Sequence, residues 1–236
     1  MTRNTDRHVP GISLALLSAG RYARRVLSRP PPPVHPAGFI EPCLPTVSRT
    51  VPSGPLWVHE IKHDGYRFIC RRDGERVRVF SRRGRDRTDR VPLIAEALSA
   101  LSVASVTLDG EGVVCDEQGV SDFDRLRSAV ARGGSRAAFL FAFDVIELDG
   151  QDLRSRSWDD RRMTLARLLR SCREGLRVSE HLEGSDGPTV FEHACAIGLE
   201  GIIAKRRDRP YRSGRCADWV KIKKPGPPAA TRIMEW

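Results

Sequence analysis

Short segments in which apolar and polar residues alternate, cut apart by Asp-Gly and other glycine turns, fill the chain from Leu56 to Lys223 and limit what it can fold into. Alternation at period two marks a strand with one buried face. Residues 56–62, 67–71 and 76–81 read as strands, with Asp73-Gly74 as the hairpin turn between the last two. Residues 106–109 and 112–115 read as two short strands around a tight Asp-Gly-Glu-Gly segment, and 138–146 as a densely apolar strand. Helical spacing covers 91–101 and 121–130. Ser157 suits the N-cap of a helix reaching about Cys172, with Asp159 and Asp160 complementing its dipole. Asp186-Gly187-Pro188 opens a further helix that Gly198 stops, and 201–205 and 219–223 close as strands. Strands outnumber helices and hairpins are present. The expected class is α+β with antiparallel sheets rather than a doubly wound sheet.

Both ends differ from this middle. Residues 1–38 carry Arg3, Arg7, Arg21, Arg24, Arg25 and Arg29 and then prolines 30 to 33 and 36, which favour an extended, solvated chain. The apolar stretch 11–20 within them lacks a small-residue cleavage site and reads as a short amphipathic helix or a leader, not a secretory signal. The expected organisation is a basic, Pro-rich leader at 1–38, one domain at 39–225 and a short tail at 226–236. The six cysteines are scattered without a CxxC pair, which suits a reduced, cytoplasmic protein, and no apolar run reaches bilayer length. A net charge of +10 suits a polyanionic partner. It suits equally an arginine-rich solvated surface from a GC-rich genome.

The segment Glu60-Ile61-Lys62-His63-Asp64-Gly65-Tyr66-Arg67 is the most informative. Lys62 ends an apolar strand just before a sharp turn, where its side chain projects into a cleft and neighbouring cations disfavour its charged form. Arg67 returns on the next strand towards the same place. The same octapeptide also serves as a surface lysine beside a turn. Ser81-Arg82-Arg83-Gly84 is expected to close the hairpin and bring a guanidinium near, or to be a solvated basic turn. Asp109-Gly110-Glu111 pairs two carboxylates that suit a divalent metal or a ribose hydroxyl, or an ordinary turn. Phe143 is a base-stacking candidate or a core residue. Glu200 and Lys205 bracket one strand, and Lys221 and Lys223 share one face of the last, to grip phosphates or to protect an edge.

Taken in order, KHDGYR at 62–67, SRRG at 81–84, LDGEGV at 108–113, FAFDVIELDG at 141–150, EGIIAK at 200–205 and WVKIKK at 219–224 resemble the successive motifs of ATP-dependent DNA ligases. These belong to the covalent nucleotidyltransferases, alongside RNA ligases and capping enzymes, and the wording is similar to bacterial end-joining ligases. The resemblance covers about residues 39–225. It implies an ATP-grasp-like, antiparallel-sheet adenylation domain that uses ATP with Mg²⁺ or Mn²⁺ and acts on nicked or broken double-stranded DNA in repair or recombination.

Carried over residue by residue, the resemblance makes Lys62 the nucleophile that forms lysyl-AMP. It makes Glu60 the reader of the adenine amino group, Arg67 the contact near ribose and phosphates, and Arg82 the contact to nucleotide and nicked strand. Glu111 would serve ribose and metal, Phe143 would stack on adenine, Glu200 would bind metal, and Lys221 and Lys223 would neutralise phosphate. Ligases of this family continue into an oligonucleotide-binding (OB) fold, for which the dozen residues after WVKIKK are too few. Adenylation by this chain alone is therefore expected to be slow, and nick sealing to need a separate OB-fold or end-binding partner. An RNA ligase or capping-type enzyme, or a non-catalytic nucleotide- or DNA-binding remnant, are the alternatives.

Overall fold

The computed structural model describes residues 37–224 apart from 173, 184 and 185. The tail and all but the last two residues of the expected leader lie outside the described residues. No helix among the described residues is long and apolar enough to cross a membrane, and all six cysteines are free thiols.

Among the described residues, eleven strands form two sheets. The first contains β1 (Cys43–Val47), β2 (Trp57–Ile61), β9 (His181–Glu183), β10 (Gly201–Arg206) and β11 (Gly214–Lys223), ordered β1-β11-β10-β2-β9. The second contains β3 (Tyr66–Asp73), β4 (Arg76–Ser81), β5 (Ser105–Val113), β6 (Phe139–Leu148) and β7 (Gln151–Asp152), ordered β4-β3-β5-β6-β7, with β8 (Leu176–Val178) added beside β6. Pairing is antiparallel except between β1 and β11 and between β6 and β8. The α+β class with antiparallel sheets is borne out.

Helices cover the outer faces. On the second sheet, α1 (Pro92–Ser99) and α2 (Phe123–Ala131) bury Ile94, Leu98, Leu126 and Val130 against Phe68, Cys70, Leu108, Leu140 and Ala142. Leu165 of α3 (Trp158–Leu168) joins that core. Ser157 caps α3 as its sequence suggests, accepting from the Asp160 amide at 3.1 Å, although the helix ends at Leu168 rather than near Cys172. On the first sheet, α4 (Gly187–Ala196) packs Ala194 onto Ile202, Ala204, Val220 and Ile222. The inner faces meet in a third cluster made of Cys43, Cys216 and Trp219 from one sheet and Ile69, Phe80, Phe143 and Ile146 from the other.

Two expectations need correction. The Asp-Gly-Glu-Gly segment is not a turn: residues 105–113 form the single strand β5, paired on both sides. The glycines thin the strand. A Cβ on Gly110 would lie 2.7 Å from a Leu140 side-chain atom, and one on Gly112 would lie 2.3 Å from the Phe68 ring. The β3–β4 hairpin turns at Gly74-Glu75, so the Ser81-Arg82-Arg83-Gly84 turn sits at the other end of β4, where the Gly84 amide donates to the Ser81 carbonyl at 2.8 Å.

Beside this, β6 carries register shifts opposite Thr107/Leu108 and Asp109/Gly110. Asp109 pairs with Asp144 and Gly110 with Ala142, leaving Phe143 as an extra residue. A bulge of this kind re-aims a side chain. Here it turns Phe143 into the space between the sheets.

Gly201 sets how closely β10 can approach β11. Its φ is +148°, and an added Cβ would fall 2.1 Å from the Ile222 carbonyl oxygen. Gly201→Ala is therefore expected to destabilise the protein by about 2–4 kcal/mol through strain and clash together. Urea unfolding of the purified protein measures this, and a loss below about 1 kcal/mol would contradict the packing described.

Candidate active site

Strand register collects the charged residues. On the first sheet, Ile203 of β10 lies opposite both Glu60 of β2 and Lys221 of β11, so these three share the inner face. Gly201 pairs with Lys223, which adds Lys223 to the same face, while Val220 and Ile222 point to α4. Lys62 follows β2 directly, and its amide donates to the Gly201 carbonyl at 3.0 Å. The sharp turn that ends this approach needs Gly65, whose added Cβ would lie 2.2 Å from the Gly112 carbonyl oxygen.

The Lys62 side chain is ion-paired with Glu200, whose other oxygen takes Lys223 Nζ at 2.9 Å. Burial works to raise the Glu200 carboxyl, but Lys62 and Lys223 outweigh it and hold the group below its ordinary value. Lys221 is lowered by burial and then by its neighbours Lys223, Lys62 and Arg82. Lys62, Glu200, Lys221, Lys223 and Arg82 thus come together as their motifs suggest. One expectation changes. With Glu200 upon it, Lys62 has a direct counter-ion, where its own octapeptide pointed to neighbouring cations that disfavour its charge.

The second sheet supplies the opposite wall. Glu111 on β5 lies between Arg67 of β3 and Phe141 of β6. Burial raises the half-buried Glu111 to about 7, against the lowering effect of Arg67 and Lys62. Arg67 does not reach freely into the cleft. Its guanidinium grips Asp109 at 2.5 and 2.6 Å, donates to the Cys43 carbonyl at 3.1 Å and lies 4.4 Å from the Phe143 ring centroid. The Tyr211 hydroxyl donates to the same Asp109 carboxylate at 2.6 Å. Asp109 is fully buried and spoken for, so it does not pair with Glu111 as a metal or ribose site.

His63 stacks on Phe141 with centroids 4.0 Å apart, and burial followed by the Lys62 charge lowers it to about 4. It is a neutral imidazole beside the nucleophile candidate.

At the far end of the face the Glu60 carboxylate takes both oxygens to Lys205 Nζ, each at 2.8 Å, with the two side chains 2% and 1% exposed. Lys205 Nζ also lies 4.4 Å from the Phe143 centroid and 4.1 Å from that of Trp219. Phe143 is 8% exposed and belongs to the inter-sheet core. Sequence reasoning gave no site role of their own to Lys205, Tyr211 or His63. A signal existed for Lys205, because alternation from Gly201 through Ile203 puts it on the cleft face. Nothing local marks Tyr211, whose partner Asp109 is 102 residues away.

The comparisons agree with this geometry. A family model described as "ATP dependent DNA ligase domain" matches residues 44–223, most of the chain. The multifunctional non-homologous end joining protein LigD of Pseudomonas aeruginosa is 38% identical over 210 residues, covering 89% of this chain but 24% of its own length. A probable DNA ligase of Beutenbergia cavernae is 33% identical, covering 91% of this chain and 41% of that protein. The chain thus spans about a quarter of the LigD-type relatives. Among solved structures, mycobacterial DNA ligase D complexed with ATP and MES superposes with a TM-score of 0.67 at 38% identity, over 77% of this chain and 59% of the other.

Glu111 gives a pH test with a definite sign. Its folded value of about 7 lies above its ordinary value of 4.5, so the folded state holds the proton more tightly. That stabilisation is complete below about pH 4.5 and is lost as pH rises through about 7. Glu111→Gln should gain stability over the wild type as pH climbs through that window, by up to about 3 kcal/mol. Urea unfolding at both ends of the window checks it.

Proposed function

Because the chain belongs to the ATP-dependent DNA ligase domain family, we propose that Lys62 takes AMP from ATP and that the AMP passes to a DNA 5′-phosphate for strand joining in repair or recombination. The observation that carries this reading is the meeting of Lys62, Glu200, Lys221 and Lys223 on one cleft wall, facing Glu111 and Arg67 on the other.

The chemistry follows from that arrangement. Lys62 must leave Glu200 and shed its proton, and Lys221 and Lys223 favour that by disfavouring a third ammonium. The nitrogen lone pair then forms a bond to the α-phosphorus, the bond from that phosphorus to the bridging oxygen breaks, and pyrophosphate departs with the electron pair. Such transfer needs positioning and charge neutralisation more than covalent help. Lys221, Lys223 and Arg82 occupy the end where the leaving phosphates would lie. Glu60 and Phe143 then fall at the base end, two strand positions or more from Lys62. Phe143 offers ring surface there only where Arg67 and Lys205 leave it open.

Magnesium, or manganese in its place, fits the donor set. Glu111 and Glu200 are hard oxygen donors, and no group of three or more ligating side chains occurs among the described residues. An ion here would be held by one or both carboxylates together with nucleotide phosphates, the usual manner for magnesium. It would supply further neutralisation of phosphate charge.

The net charge of +10 supports a DNA substrate, and the free thiols support a bacterial cytoplasmic setting. A separate OB-fold or end-binding protein is the proposed DNA clamp.

Incubation with ATP and Mg²⁺ should add one AMP to the protein, seen by intact-mass spectrometry, and Lys62→Ala should abolish the adduct. Lys223→Ala should slow its formation by roughly 10- to 100-fold. Wild-type protein without adduct, or an adduct that survives in Lys62→Ala, would overturn the reading.

A further inference from the structure

We propose that a cavity at the end of the second sheet binds one unpaired nucleotide of a DNA strand, its phosphate held by Arg125 and Arg177 and its base by Phe139. This goes beyond adenylation at Lys62 and rests on the proposed function only in taking DNA as the source of the nucleotide.

The cavity measures about 400 Å³, inside the range of roughly 300–1,000 Å³ usual for ligand pockets. Leu93 of α1, Arg125 of α2, Phe139 of β6 and Arg177 of β8 line it, with Val114 just beyond β5. Gly175 lets these elements come together. Its φ is +75°, and an added Cβ would lie 2.5 Å from the Leu93 carbonyl oxygen, so a side chain here would push the approach to β8 away from α1.

Charge says what fits. Arg67, Arg154, Arg161 and Arg206 are each matched to a carboxylate. Among the described residues neither Arg125 nor Arg177 has a side-chain ion pair. The Arg177 guanidinium instead lies 4.4 Å from the Phe139 ring centroid, and its charge reaches the Cys115 thiol on the same cavity. Two guanidinium groups with donors to spare suit a phosphate. Asp116, Glu117 and Glu174 line the cavity too. Asp116 is occupied by the amides of Gln118 and Val120, at 3.0 and 2.8 Å. Glu117 and Glu174 would repel a bare anion, but they can accept from the N–H groups of a base. The mixture suits a whole nucleotide.

A row of rings ties this cavity to the cleft. Phe139 and Phe141 share one face of β6 by alternation, with centroids 5.0 Å apart, and His63 stacks on Phe141 at 4.0 Å. His63 follows Lys62 in the chain, and Phe141 lies opposite both Glu111 of β5 and Arg177 of β8. A strand engaged near Lys62 would therefore meet successive aromatic side chains leading to the cavity, the kind of surface on which unpaired bases stack. A base paired inside a duplex cannot enter such a pocket, so the occupant is a nucleotide freed from pairing at a frayed or overhanging end.

The test is fluorescence anisotropy without ATP, using a short labelled oligothymidylate, an abasic strand of equal length, and dTMP as competitor. Wild-type protein should bind the oligothymidylate roughly 5- to 100-fold more tightly than the abasic strand. Arg125→Gln/Arg177→Gln changes two exposed side chains and so keeps the fold. It should weaken both strands by about 10-fold and flatten the salt dependence by about one unit of slope. Phe139→Leu should lose the thymine preference and keep binding of the abasic strand. Arg136→Gln, which removes an exposed charge paired with Glu96 away from the cavity, should change binding less than about 2-fold. Undiminished affinity in the arginine double variant overturns the proposal, as does a thymine preference that is absent from wild type or survives in Phe139→Leu. Binding of dTMP as tight as that of the strand would assign the cavity to free nucleotides and overturns it equally. The rate of AMP addition to Lys62 should be the same in wild type and the arginine double variant. Absence of any adduct on wild type would overturn the adenylation reading, which the binding measurement does not touch.

Discussion

One carboxylate holds the cleft in working order. Glu200 bridges Lys62, at the end of one strand, and Lys223, near the end of another, and so joins β2 to β11 across the head of β10. Three strands can meet this closely because Gly201 stands where any Cβ would strike the Ile222 carbonyl. The glutamate, the glycine and the two lysines form a single device. The glycine permits the approach, the register puts the lysines on one face, and the carboxylate keeps two like charges together.

Three further ion pairs are sealed where the sheets converge: Arg67 with Asp109, Lys205 with Glu60, and Arg161 with Asp144. Each joins different strands or a helix to a strand. Buried pairs contribute little net stability, yet breaking one by removing a single partner costs about 3–5 kcal/mol. Their effect is to fix geometry. Arg67 is occupied with Asp109 and the Cys43 carbonyl, and what it offers any ligand is the charge and surface it presents beside Phe143.

The parts legible in the sequence were those with local causes. Period-two alternation located β2, β3, β4, β10 and the end of β11, a dense apolar run located β6, and capping chemistry located α3 through Ser157. Lys221 and Lys223 on one face followed from alternation alone. Failures arose where a distant partner decides. Asp109-Gly110-Glu111-Gly112 looks like a turn because Asp-Gly pairs usually are, but these glycines make room for Leu140 and Phe68 against a paired strand. The short strands β1, β7, β8 and β9 carry little pattern of their own and exist by pairing with longer neighbours. The counter-ion on Lys62 was invisible for the same reason, since Glu200 lies 138 residues away.

The cleft is electrically polarised along its length, and that polarity matches the order in which a nucleotide would be read. At one end Lys221, Lys223, Lys62 and Arg82 outnumber Glu200, leaving a surplus of positive charge open to bound phosphate. At the other, the buried Glu60 and Lys205 cancel each other beside the rings of Phe143 and Trp219. In the proposed function, a triphosphate drawn to the cationic end would carry its base towards the neutral one. Coulomb attraction is long-ranged and weakly directional, so it orients the ligand, while hydrogen bonding at the sealed end is short-ranged and discriminates. With charge surplus at the Lys62 end and a neutralised pair at the Glu60 end, one strand face carries two electrostatic environments side by side.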